Sequence, residues 1–184
     1  MKLATTIISA AALAATATTA TLAADDDYKF DGAYGGIEAV FDWTKLSTDV
    51  DTSKSVTVGG VLGFRRQTDS GFVMGLEGTF RDNGYENETT GLKGKFEWSA
   101  GLTLGTAFGD DASNLIYGKA AFVRTKFDPS EASGDAFNDS GWRFGGGYER
   151  SLSENMSFRL GGDYTTYGDG NDGWQATTGL LVKF

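Results

Sequence analysis

The chain contains no cysteine and no histidine, and only one proline, Pro129. The missing cysteine excludes disulfides, thiolate metal sites and a lipid-anchored mature N-terminus. The missing histidine removes the commonest general base and the commonest metal ligand, which leaves an enzyme only carboxylates to work with. Basic residues are scarce as well: 16 Lys and Arg face 25 Asp and Glu, a net charge of −9. That balance opposes nucleic acid as a partner. The chain is therefore read as a non-enzyme with no cofactor and no metal site.

A sustained helical period is absent after residue 24, and the 27 Gly suit a sheet protein with turns and close backbone contacts. The first 24 residues are different. Met1-Lys2 is a short basic start, Leu3 to Leu22 is rich in Ala and Thr, and Thr21-Leu22-Ala23-Ala24 supplies small residues for cleavage. Residues 1–24 are read as a cleaved export signal, cut after Ala23 or Ala24, because Asp25-Asp26-Asp27 follows at once and Leu and Ile are too sparse for a spanning helix. Removing Lys2 leaves 15 basic against 25 acidic residues, so the net charge becomes −10. Residues 25–32 then form a short N-terminal periplasmic segment and 33–184 one domain.

Within 33–184, segments of period-2 alternation recur between turn-rich spacers. One face of each is apolar: Ile37, Ala39, Phe41, Trp43; Val56, Val58, Leu62, Phe64; Phe72, Met74, Leu76, Phe80; Phe96, Trp98, Ala100, Leu102, Leu104. The series continues with Ile116, Gly118, Ala120, Phe122; Trp142, Phe144, Gly146, Tyr148; Phe158, Leu160, Gly162, Tyr164; and Trp174, Ala176, Thr178, Leu180, Val182, Phe184. These are eight strands. The opposite faces carry Glu38, Asp42, Glu77, Lys95, Glu97, Lys119, Arg143, Glu149, Arg159 and Asp163.

The polarity decides between two barrels. A soluble barrel of the lipocalin or avidin type keeps charge outside and an apolar interior, whereas here the nearly charge-free, aromatic-rich face must meet lipid. Spacers at Gln67–Ser70, Gly109–Asn114 and Ser151–Asn155 are short, while Ser47–Ser55, Arg81–Gly91 and Asp128–Ser140 are longer and polar, with Gly168–Gly173 between. The expected fold is thus an all-β, eight-stranded antiparallel transmembrane β-barrel with short periplasmic turns and longer extracellular loops. Trp43, Phe80, Trp98, Trp142, Tyr164 and Trp174 fall toward the loop rim, and Phe64, Phe72, Tyr148, Phe158 and Phe184 toward the turn rim. Two such levels are the aromatic girdles of the two headgroup regions.

The run from Gly141 to Leu160, with Trp142-Arg143-Phe144 and Tyr148-Glu149-Arg150 at its centre, resembles the sixth strand, turn and seventh strand of small porin-family barrels related to the outer-membrane protein A transmembrane domain. Leu92-Lys93-Gly94-Lys95 and Ile116-Tyr117-Gly118-Lys119 resemble the fourth-strand start and fifth strand of the same families. The resemblance implies an outer-membrane location, with Phe184 as the terminal aromatic read by the barrel-assembly machinery. It also implies a switchable gate at Glu149 and Arg159. The chain stops at Phe184, so the peptidoglycan-binding domain of that family is not expected.

Hairpin geometry sets Glu149 against Arg159 around Ser153, and Glu77 near Lys95 around the Arg81–Gly91 loop. With Lys119 these are the candidate lumen ion pairs, read first as charges that neutralise one another in a filled interior and second as a gate. Inward Gly59, Gly63, Gly75, Gly101, Gly105, Gly145, Gly147 and Gly161 make room for them. Asp169-Gly170-Asn171-Asp172-Gly173 lacks the Glu that a calcium loop places twelfth, where Leu180 stands, and is read as a solvated turn. The expected function is a monomeric barrel with an envelope-integrity and surface-interaction role; the alternative is a narrow porin passing ions or small solutes. Expected partners are outer-membrane lipids and lipopolysaccharide, bridged by divalent cations at the acidic loops, the barrel-assembly machinery, and an unidentified extracellular ligand of those loops.

Overall fold

Alternation over most of the chain becomes eight long strands in the computed structural model, which describes residues 28–45, 52–82, 86–87, 92–129, 137–167 and 172–184. They are β1 Gly32–Lys45, β2 Thr52–Gln67, β3 Phe72–Asp82, β4 Leu92–Phe108, β5 Asn114–Pro129, β6 Phe137–Ser151, β7 Met156–Tyr167 and β8 Asp172–Lys183. A two-residue strand, Glu86–Asn87, adds to the end of β4. Each strand pairs antiparallel with the next, and β8 pairs with β1, so the sheet closes on itself. Closure leaves no long edge unpaired, which a sheet in hydrocarbon requires. The signal segment and Asp25 to Asp27 lie outside the described residues.

The faces separate as an inside-out protein. Ile37 is 64% exposed and Val56 65%, whereas Glu149 is 0% and Glu97 1% exposed. Most bulky apolar residues of the alternating sets are exposed, among them Phe41, Leu76, Leu102, Trp142 and Phe184, while Phe64, Phe80 and Phe158 are half-buried. The loop-rim girdle is a physical chain of rings: Trp98 and Phe122 lie 6.0 Å apart, Phe122 and Trp142 6.0 Å, and Tyr164 and Trp174 5.0 Å. Trp43 stands opposite Trp174 in the β1–β8 register, and Trp98 and Trp142 both flank Phe122. At the other rim, Phe108 and Tyr148 are 6.5 Å apart.

The turn rim is built from tight chemistry. In the β2–β3 turn Gly71 adopts φ 82° and donates its N–H to Thr68 O at 2.8 Å, and in the β4–β5 turn Gly109 adopts φ 95°. Both angles suit glycine because it carries no Cβ. The connections at the opposite rim, where the longer loops are expected, fall largely outside the described residues. The strands reach further into those spacers than the turn signals suggest: β2 starts at Thr52, β3 ends at Asp82, β6 starts at Phe137 and β8 starts at Asp172. Polar residues there still alternate and still pair.

Candidate functional site: the ion-paired lumen

Register places small residues beside large inward ones. Glu38 stands between Gly59 and Gly179, Glu77 between Gly63 and Gly101, and Gly145 between Lys119 and Asp163. A Cβ on Gly179 would lie 2.8 Å from Glu38 Cγ, and one on Gly147 2.8 Å from the Tyr117 hydroxyl. At these positions the absent side chain leaves room for an inward carboxylate or phenol.

Those side chains form two layers. Nearer the turns, Glu149 is fully buried and receives both terminal nitrogens of Arg65, Nη2 to Oε1 at 2.9 Å and Nη1 to Oε2 at 3.0 Å. Arg159 adds Nη2 at 3.0 Å and Nε at 3.2 Å to Oε2, and the Ser157 hydroxyl donates to Oε1 at 2.6 Å. The other guanidinium nitrogen of Arg159 reaches Glu77 at 2.5 Å and Glu38 at 3.5 Å. The Tyr34 hydroxyl donates to Glu77 at 2.7 Å, and Lys119 pairs with Asp163 at 2.9 Å and approaches Glu77 at 4.0 Å. Tyr34 and Tyr117 lie within 5.5 and 5.0 Å of the Arg159 guanidinium, so the cation is held by rings as well as by carboxylates.

Nearer the loops, Glu97 is the hub. It accepts from Arg143 at 2.7 Å, and from Thr125 at 3.2 Å and Tyr167 at 3.3 Å, with Arg81 at 2.8 Å. Arg143 also donates to Thr165 at 2.9 Å, and Arg81 to Gln175 at 3.2 Å and Asp42 at 3.4 Å. Such pairing is what allows charge to be buried here, since an unpaired ion in this interior would carry a desolvation cost of several kcal/mol. Three voids between the described lumen side chains measure about 10 to 20 Å³ each. That is room for a water or two.

Of the candidate lumen residues, Glu149 and Arg159 face each other directly in the β6–β7 register, and Lys119 joins Glu77 and Arg159 in one layer. The Glu77–Lys95 pairing is corrected. Glu77 stands opposite Gly101, six residues along β4 from Lys95, or about 20 Å at the rise of a strand. The β3–β4 register pairs Phe80 with Trp98 and Asp82 with Phe96, shifted along β4 from the one expected, and the Lys95 side chain lies outside the described residues. Two central residues are not among the sequence candidates: Arg65, whose inward position follows from the β2 alternation, and Arg81, which the β3 strand carries into the expected loop. Phe184 is exposed at the turn rim, with its N–H donated to Ala33 O at 2.9 Å. No cluster of His, Cys, Asp and Glu able to hold a metal occurs among the described residues. The Asp169–Gly173 turn lies outside them except for its last two residues.

The model of the family described as outer membrane protein beta-barrel domain matches residues 8–184. None of the curated proteins matches the chain. Among solved structures, the chain is similar to Ail, the attachment invasion locus protein of Yersinia pestis, at a TM-score of 0.62 and 14% identity, covering 84% of this chain and 99% of that one. It is similar to Neisserial surface protein A at a TM-score of 0.58 and 14% identity, covering 84% and 98%. It is also similar to the outer membrane protein OprG from Pseudomonas aeruginosa at 0.54 and 16% identity, covering 87% and 99%. At these identities the likeness concerns the fold.

Proposed function

The chain belongs to the outer membrane protein beta-barrel domain family and is an outer-membrane β-barrel; from that premise we propose that its work is structural and surface-interactive, without enzymatic activity. The observation that carries this reading is the filled lumen. Two layers of ion pairs, with voids of about 10 to 20 Å³ between them, support a closed barrel over a conducting one. A pore for even a hydrated ion would need several of the Glu149, Glu77 and Glu97 pairs to part at once, each a buried pair that is expensive to break.

In this reading the apolar shell and its two girdles seat the monomer among outer-membrane lipids and lipopolysaccharide. Acidic loops at the opposite rim from the turns meet the medium and its ligands, and residues 1–24 direct export through the periplasm to the barrel-assembly machinery. Deleting the gene and measuring detergent and chelator sensitivity tests the envelope role. Sensitivity equal to the parent strain, together with stepwise currents from the purified protein in planar bilayers, would overturn it in favour of the narrow porin.

A further inference from the structure

The segment before β1 crosses the mouth of the barrel. Phe30 is fully buried and belongs to one apolar cluster with Val73 of β3, Ala107 of β4 and Leu115 and Tyr117 of β5. Because β5 lies four strands from β1 in either direction around the barrel, a ring carried at the start of β1 has reached the opposite wall. Its inner side is covered by the Arg65 guanidinium, 4.9 Å from the Phe30 ring and 4.4 Å from Tyr34. That is the same guanidinium that grips Glu149.

Polar contacts fasten the segment to the rim on both sides. The Phe30 N–H donates to Gln67 Oε1 at 3.0 Å, and the Gln67 N–H donates back to Asp31 Oδ1 at 2.8 Å. Asp31 also pairs with Arg66 at 3.1 Å. Lys183, at the end of β8, donates to Tyr28 O at 3.1 Å, and the Tyr28 hydroxyl donates to Asp69 in the β2–β3 turn. The Arg66 and Gln67 contacts continue the β1–β2 pairing beyond Gly32 and Arg65, whereas the Lys183 contact needs β8 to have closed on β1. The apolar socket in particular does not exist until β3, β4 and β5 curve round to face β1 and β2.

We propose that Tyr28–Asp31 is a latch that closes after the barrel has formed and holds it shut kinetically, with Phe30 as the stopper of its periplasmic mouth. Contacts made after the folding transition state act on unfolding and leave folding untouched. The test is to refold the purified protein and its Phe30→Ala variant into vesicles and to follow folding and urea-driven unfolding by tryptophan emission and by the shift of the folded band on unheated gels. The variant is expected to unfold roughly tenfold faster or more, given the size of the buried ring, and to fold at a rate within about twofold of the parent. Asp31→Asn, which weakens one strap contact and leaves the ring in place, should shift unfolding in the same direction by less. Unchanged unfolding, a loss that appears in the folding rate, or failure of Phe30→Ala to insert would each overturn the latch. The last two would place the segment in the folding nucleus.

Discussion

Arg65 and Glu149 form a two-pronged pair, 2.9 and 3.0 Å, between β2 and β6 and 84 residues apart in sequence, across the width of the lumen. Neighbouring strands are fixed to each other by backbone hydrogen bonds. This pair fixes opposite walls.

Removing either member leaves a buried ion without its main partner, so Arg65→Ala and Glu149→Ala should each cost on the order of 3–5 kcal/mol. The double variant should cost less than the sum, because each single leaves one charge of the pair stranded and the double leaves neither. Urea unfolding in detergent micelles measures all three; additive losses would show that the two side chains do not depend on one another. Arg159→Ala should be milder at Glu149, since Arg65 remains there, but it strips Glu77 of its 2.5 Å partner.

Two glycines one strand apart should respond in opposite ways to the same methyl group. On inward Gly145 a Cβ would meet the Asp163 carboxyl carbon at 2.8 Å, whereas on outward Gly118 the nearest atom is Gly145 O at 3.8 Å. Gly145→Ala should therefore destabilise by about 1–3 kcal/mol through overpacking. Gly118→Ala should be neutral or stabilise by up to about 1 kcal/mol, through the unfolded chain. Denaturant midpoints of the two variants decide the matter.

The four Trp are expected at the outer headgroup level of the bilayer. In vesicles of lipids brominated at defined acyl positions, shallow bromines should quench their emission more than bromines near the chain ends. Stronger quenching by the deep label would move this ring of aromatics to the bilayer centre and undo the assignment of the girdle.

Outside the membrane, Asp111 in the β4–β5 turn is held below the usual carboxylate range, first by the Ser113 hydroxyl and then by the Ser113 N–H, which donates to Oδ1 at 3.2 Å. Because the folded value is depressed, whatever the turn gains from the ionised carboxylate is present above the ordinary Asp range and fades as pH falls through the folded value. Titration by carboxyl-carbon NMR should find Asp111 low, and Ser113→Ala should bring it back toward an ordinary Asp. An unmoved midpoint would assign the effect to the backbone N–H alone.

The inside and outside of this protein are written in the amino-acid order, because side chains of a strand alternate with a period of two and charge cannot face hydrocarbon. Ile37 against Glu38, or Leu160 against Arg159, is enough to sort lumen from lipid. The Glu149–Arg159 pairing was legible too, since a short turn around Ser153 leaves a hairpin little freedom of register. Glu77 was misplaced because a longer connection lets the register slide, and the true neighbour, Gly101, differs from the expected one by six residues. What the tertiary structure alone decided is what crosses the lumen: Arg65 on Glu149, Arg143 on Glu97, Phe30 in its socket between β3, β4 and β5. Which residues meet across a closed barrel depends on the stagger accumulated over all eight strands and on the barrel's width. Neither quantity belongs to any single strand or turn, so local pattern carries no record of it.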